Sequence, residues 1–331
     1  MFFLYSLLPF FSCIAFIQGF VIKTPLFVSS TKLFNSLSVE TPRSIESKTT
    51  DFQGYPTNYQ VSKPENTNAE VAILLIHGFG SSSYHWRDNI PTLSEKYDTY
   101  AIDLIGFGNS AKPSILNYTV SLWSEQVIEF IDCVIQKPCI LVGNSLGGYI
   151  ALYTAASSSS NIKGVIPINP VIISRSYPKI RLPPLFNLFS SKSIIKGYFH
   201  LTRQRPSIQC LFKILYPVFP ERVDNLIIDS IENPSKNVNA SDIFYGIVKE
   251  NIISQTIFIE DIIENLDPKI PISIIYGTKD PWIPRCAIDY FMKLSPNAEI
   301  SRVPAGHCPQ DEIPEIVNPI ILSFMTNLIK K

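Results

Sequence analysis

The pentapeptide Gly143-Asn144-Ser145-Leu146-Gly147 is where residue types and spacing in this chain could do chemistry. It follows the apolar run Cys139-Ile140-Leu141-Val142 and precedes Gly148-Tyr149-Ile150-Ala151-Leu152-Tyr153-Thr154-Ala155-Ala156, a good helix former. A serine with glycines two residues to either side, between a strand and a helix, describes a sharp turn that lifts its hydroxyl above a sheet. The chemistry open to such a serine is attack on a carbonyl, if a base takes its proton and N–H groups hold the oxyanion. The flanking glycines keep side chains out of a backbone turn too tight to hold them.

The base must come from four histidines, His77, His85, His200 and His307. In a strand–turn–helix setting of this kind an acid and then a histidine follow the serine along the chain. His307 lies in Val303-Pro304-Ala305-Gly306-His307-Cys308, a loop after an expected strand over Ala298–Val303. Upstream, Pro271-Ile272-Ser273-Ile274-Ile275-Tyr276 opens into Gly277-Thr278-Lys279-Asp280-Pro281-Trp282, which puts Asp280 at a strand's carboxyl end. Taken singly, Asp280 also fits a turn cap and His307 a loop filler; together, in this order on these elements, they favour a Ser145–Asp280–His307 set. Asn169 ends the preceding strand, but an amide there cannot carry the orienting charge; Asp311 is the next carboxylate to test.

The apolar strand Val71–Ile76 opens into His77-Gly78-Phe79-Gly80-Ser81-Ser82-Ser83, whose small residues let main chain pass close to the serine turn. The N–H of Phe79 then joins that of Leu146 as the pair of oxyanion donors. His77 reads as structural, bonding loop carbonyls. Tyr84-His85-Trp86-Arg87 reads as packing at a helix start, and Asp103 as a cap on the turn toward Ser110.

These segments, with Ala101–Ser110 and Ala305-Gly306-His307-Cys308-Pro309-Gln310-Asp311-Glu312, resemble an α/β-hydrolase from about Phe52 to the chain's end. Within that superfamily the chain is similar to the plastid and cyanobacterial branch of pheophytinase and chlorophyll dephytylase. Asp280-Pro281-Trp282 and Ala305–Glu312 carry the branch, with a weaker run from Arg205-Pro206-Ser207-Ile208 to Tyr216 and Arg222-Val223-Asp224. The resemblance implies cleavage of a carboxylic ester through an acyl-enzyme by Ser145, His307 and Asp280, with no metal or organic cofactor. Dehalogenases and epoxide hydrolases of this fold need a carboxylate where Ser145 stands, so the chain resembles neither. Asn144-Ser145-Leu146-Gly147-Gly148 also occurs in similar form among carbon–carbon hydrolases of aromatic-ring degradation, which keeps that activity as an alternative. A slow-turnover receptor retaining the three residues is a second one, against which Gly147-Gly148 speaks.

With 28 basic and 28 acidic residues the formal net charge is zero, and no basic cluster interleaved with aromatics appears, which excludes an evident nucleic-acid partner. Six cysteines without C-x-x-C spacing and four histidines without i/i+4 spacing argue against a zinc site. The expected partner is a small apolar ester, with no protein partner inferred.

Residues 1–19 have the length and apolar character of a signal sequence, and 20–51 form a Ser/Thr-rich segment with more basic than acidic residues. The pair resembles the two-part presequence of an alga with a complex plastid; secretion with a disordered linker is the alternative. The remainder alternates strands and helices, the pattern of an α/β fold with a mostly parallel central sheet covered on both faces. Strands are expected over Val71–Ile76, Thr99–Leu104, Ile140–Gly143, Val165–Ile168, Ile272–Tyr276 and Ile300–Val303. Helices are expected over Trp86–Lys96, Val120–Gln136, Leu146–Ala156 and Pro314–Leu328. The core then divides into 52–170 and 267–331. The intervening 171–266 is too long for a plain crossover and reads as an inserted lid. Its apolar, proline-broken start, Ile180–Phe189, suits a long acyl or isoprenoid tail and a peripheral membrane contact.

Overall fold

The computed structural model describes residues 44–65, 69–158, 161–176, 191–250 and 257–329. The expectations for 1–43 and for the proline-broken stretch Ile180–Phe189 lie outside them. Eight strands form one sheet in the order β1-β2-β4-β3-β5-β6-β7-β8. They are β1 (Glu46–Phe52), β2 (Tyr55–Ser62), β3 (Ala72–Ile76), β4 (Thr99–Ile102), β5 (Cys139–Asn144), β6 (Ile162–Ile168), β7 (Ser273–Gly277) and β8 (Glu299–Val303). β1 and β2 pair antiparallel, as do β2 and β4, and every later pairing is parallel.

The β1–β2 hairpin corrects one expectation. The segment 20–51 reads as disordered or transit-like, yet β1 begins at Glu46 and extends the core six residues earlier than Phe52. Only Phe52 of β1 is buried, so the strand carries the polar composition of a solvated edge and no apolar alternation to reveal it. Its turn uses Gln53 and Gly54, both at positive φ (52° and 83°), as a two-residue hairpin requires.

The helices are α1 (Ile90–Leu93), α2 (Val120–Phe130), α3 (Leu146–Ser157), α4 (Lys192–Thr202), α5 (Arg205–Leu215), α6 (Asn225–Ser235), α7 (Ala240–Val248), α8 (Ile259–Asn265), α9 (Arg285–Leu294), α10 (Pro309–Glu312) and α11 (Pro314–Ile329). The helix expected over Trp86–Lys96 is instead a 3₁₀ turn, Ser83–Trp86, and the short α1, because Pro91 supplies no N–H to continue a helix through it. α2 continues as a π turn, Ile131–Ile135, and stops where Gln136 turns left-handed (φ 55°).

Strand periodicity sorts the core into two layers. Leu74, Ile76, Tyr100 and Leu141 pack with Trp123 and Val127 of α2, Ile150 of α3 and Phe291 of α9. Ile73, Leu75, Ala101 and Val142 point the other way, onto Trp86, Ile90 of α1 and Val317, Ile321 and Met325 of α11. α4 to α8 all lie in the connection between β6 and β7, and α5 and α6 build a third cluster around Ile208, Phe212, Tyr216 and Ile227. Among the described residues no helix is long and apolar enough to cross a membrane.

Candidate active site

Ser145 stands between β5 and α3 at φ 57°, ψ −114°, a conformation an L-residue holds only when its surroundings over-determine it. Those surroundings are backbone. A Cβ on Gly143 would lie 2.2 Å from the carbonyl oxygen of Gly147, and one on Gly147 would lie 2.2 Å from that of Ile76. The glycines therefore let the elbow press against β3 and the loop that follows it. That loop passes so close that a Cβ on Gly78 would sit 3.3 Å from Cβ of Ser145. Leu146 opens α3, so its N–H belongs to the first-turn donors with no intrahelical acceptor, at the positive end of the helix dipole.

His307 Nδ1 lies 2.8 Å from Asp280 Oδ2, with the ring and the carboxylate both buried. Asp280 Oδ1 accepts from the N–H groups of Trp282 (2.7 Å) and Ile283 (3.1 Å), which fixes the carboxylate's rotation. His307 Nε2 is buried without a hydrogen-bond partner. The indole of Trp282 packs on the ring at 4.8 Å between centroids. Ser145, His307, Gly78 and Phe79 line one cavity of ≈ 190 Å³. No hydrogen bond joins Ser145 to His307; catalytic contacts of this kind tighten when substrate binds.

Two amides missed as site residues hold the histidine loop. Asn144 Nδ2 donates to the carbonyl of His307 at 2.9 Å. Asn169, left-handed at φ 42°, donates to the carbonyl of Gly306 at 2.8 Å and accepts from the N–H of Gly277. Asn169, at the end of β6, thus serves as a clamp on main chain. A buried polar side chain ending an apolar strand is the sequence signal that could have found both. Glu312 completes the hold, accepting from Gly306 N with one oxygen and from Val218 N and Phe219 N with the other. Asp311 faces Arg87 and Tyr216 instead of His307.

The structural readings of the other candidates agree with their contacts. His77 lies against the carbonyl of Gly78 through Nδ1 and accepts from Leu104 N through Nε2, and burial lowers its pKa. Asp103 accepts from Ser83 N, Asn109 N and Asn58 Nδ2. His200 is exposed on α4. The thiol of Cys308 is fully buried and its pKa is pushed far up by desolvation, which leaves it unreactive. Among the described residues no group of three or more His, Cys, Asp and Glu could hold a metal.

The cavity wall is aromatic. Phe79 contacts Phe107 (5.7 Å) on the core side and Phe244 of α7 (5.8 Å) on the other, and Phe244 meets Phe199 of α4 at 5.1 Å. Lys112 and Arg203 are cations in the lining; Lys112 donates to the carbonyls of Gly108 (2.6 Å) and Ser110 (3.0 Å), and burial pulls its pKa down to about 8.

An elbow between β5 and α3, a histidine loop after β8 and an acid after β7, on this strand order, define a class, and the comparisons agree. The family model for the alpha/beta hydrolase fold matches residues 71–314, and the chain belongs to that family. It is 28% identical over 316 residues to the chloroplastic pheophytinase of Arabidopsis thaliana, covering 82% of this chain and 64% of that protein. It is 26% identical to Lipase 3 of a Moraxella species, over 75% of each chain. Among solved structures, a serine hydrolase involved in carbazole degradation superposes with a TM-score of 0.70 at 21% identity, over 86% of this chain and 99% of the other.

Proposed function

We propose that the protein is a serine esterase that cleaves a long-chain apolar ester through an acyl-enzyme. The observation that carries this reading is His307, tied to Asp280 through Nδ1 while Nε2 stays unpaired in the cavity that Ser145 lines. Ser145 attacks the ester carbonyl as His307 Nε2 takes its proton. Asp280 holds the Nδ1–H tautomer and stabilises the imidazolium. The N–H groups of Phe79 and Leu146 receive the oxyanion, each worth about 3 kcal/mol in comparable sites. His307 returns the proton to the departing alcohol, then activates the water that releases the acid.

The substrate class follows from the wall. A cavity of ≈ 190 Å³ lined by Phe79, Phe107, Phe199, Phe212 and Phe244 suits an apolar chain. A phytyl ester of a pheophytin or chlorophyll is the leading candidate, and the likeness to pheophytinase supports it. The chloroplastic description of that relative and the presequence pattern support a plastid location. Exposed Ile194, Leu201, Val218, Phe219, Leu226 and Val238 all lie in the β6–β7 connection, which supports its role as a lid in peripheral contact with lipid.

The test is turnover of p-nitrophenyl esters of rising chain length and of pheophytin, with Ser145→Ala as control. Each fully buried CH₂ contributes about 0.8 kcal/mol, so kcat/KM should climb with length and vanish in the variant. Preference for acetate removes the long-chain reading. Turnover of a vinylogous diketone instead points to the carbon–carbon hydrolase, and a single burst to the receptor.

A further inference from the structure

From the loop that carries Phe79, starting at Ser81 and His85 in the cavity lining, runs a line of buried polar groups that the proposed mechanism does not use. Ser81 Oγ lies 2.9 Å from His85 Nδ1, and His85 Nε2 lies 2.7 Å from the hydroxyl of Tyr216. That hydroxyl donates to Asp311 Oδ2 at 2.8 Å, and Asp311 Oδ1 accepts from Arg87 Nε at 2.8 Å. Ser81, His85, Tyr216 and Asp311 are all buried.

The direction of every link is fixed. Tyr216 has one proton and gives it to the carboxylate, so it must accept from His85 Nε2–H. Burial depresses His85 to about 3, so the ring is neutral and Nδ1 is left to accept from the Ser81 hydroxyl. A line with a single arrangement is costly to leave half-made, because each broken link strands a desolvated donor or acceptor.

Its members tie the Phe79 loop to the two segments that flank the His307 loop. Ser81 follows Phe79 by two residues in the loop between β3 and the 3₁₀ turn. Tyr216 follows Leu215, whose carbonyl accepts from His307 N at 2.9 Å. Asp311 lies four residues past His307, and its own carbonyl accepts from Arg222 Nε at 2.7 Å. Arg87 and Arg222 close the outer end on Asp224 and Asp88.

We propose that Ser81, His85, Tyr216 and Asp311 form a positioning relay that seats the β6–β7 connection against the core and aims the N–H of Phe79 at the oxyanion. The proposal rests on the serine-esterase reading. These are positioning residues; none is assigned contact with the reacting atoms. A residue that merely packed would affect stability and leave kcat alone.

The test uses the full chain, p-nitrophenyl butyrate, and the rate at which a fluorophosphonate labels Ser145. Tyr216→Phe removes one oxygen and keeps the ring against Phe212, 5.8 Å away. It should lower kcat by about 10- to 100-fold with KM within about twofold, since a misaimed oxyanion donor costs less than a deleted one. Labelling of Ser145 should slow by the same factor. His85→Phe should match it, and the double variant should be no slower than the slower single, because one break already disables the line. His85→Gln, which can still donate to Tyr216, should recover part of the rate. Should the larger changes prevent folding, Ser81→Ala reads the relay's inner end alone and should show the same kcat loss. A folded Tyr216→Phe or Ser81→Ala with kcat within about twofold of the parent overturns the relay, as do multiplying losses in the double variant or a loss carried by KM. Retained activity in Ser145→Ala would sink the esterase reading itself; an inactive Ser145→Ala beside indifferent relay variants sinks the relay alone.

Discussion

Asp280→Asn isolates the electrostatic role proposed for Asp280 from its structural one. Oδ1 of Asp280 accepts two main-chain N–H groups, from Trp282 and Ile283, so an asparagine must place its carbonyl oxygen there. Its NH₂ then faces His307 Nδ1, which has to become the acceptor at the 2.8 Å contact. The imidazole proton moves to Nε2, the nitrogen proposed to take the proton from Ser145. The variant thus loses the tautomer and the buried charge that stabilises the imidazolium, while the loop's main-chain bonds survive. In comparable sites that combination costs about 10³ to 10⁴ in kcat, or about 4 to 5.5 kcal/mol of transition-state stabilisation. Steady-state hydrolysis of p-nitrophenyl butyrate should show the loss in kcat with KM nearly unchanged, and a thermal melt should show little change. A kcat within tenfold of the parent in a folded variant would refute the reasoning. Asp311 could not explain such a result away, because it is engaged with Arg87 and Tyr216.

Stability should fall on acidification below about pH 6.5. Burial holds His85 down to about 3 and His77 below its ordinary value, so the fold excludes protons that the unfolded chain binds. Stability is then full above about pH 6.5 and declines by about 1.4 kcal/mol per pH unit for each ring, for His85 down to about pH 3. Urea melts at pH 7, 6 and 5 check this, and a flat profile contradicts it. Separately, a chain starting at Asp51 should melt a few degrees below one starting at Ser44. It lacks most of β1 and its cross-strand pairs, worth about 1–2 kcal/mol together. Equal melting temperatures would mean that β1 adds nothing to the fold.

The sheet's parallel half was legible because its strands are buried on both faces and read as unbroken apolar runs, as Leu74, Leu75 and Ile76 do. β1 was not, because an edge strand with one buried residue has no such signature. At the site, Ser145, Asp280 and His307 are proposed from the sequence because motif and chain order act along it. Asn144, Asn169 and Glu312 act through main-chain bonds to segments up to 163 residues away, and nothing local to any of them announces the partner. His85 shows the limit best. An aromatic-rich run around it reads as packing, and the ring does pack, yet one nitrogen meets Ser81 and the other meets Tyr216, 131 residues further along the chain.

The connection between β6 and β7 is held to the core unevenly, and this bears on how the proposed long-chain substrate would enter. Residues 215–222 are bound through main chain: Leu215 to His307, Val218 and Phe219 to Glu312, and Arg222 to the carbonyl of Asp311. Gly306 presses so close that a Cβ would lie 2.1 Å from the carbonyl oxygen of Leu215. Moving that part would drag the loop of His307 with it. α7 rests on the core through side chains, Ile243 and Ile247 in its apolar cluster, Phe244 on Phe79 and Asn239 on the carbonyl of Lys112, and α4 meets α7 through Phe199 on Phe244. Aromatic contacts can slide and reform around an alkyl chain without stranding a polar group, whereas the hydrogen-bonded part cannot. The fold thereby separates a wall of apolar contacts, where the proposed apolar chain would enter, from a hydrogen-bonded one that keeps His307 in register with Asp280.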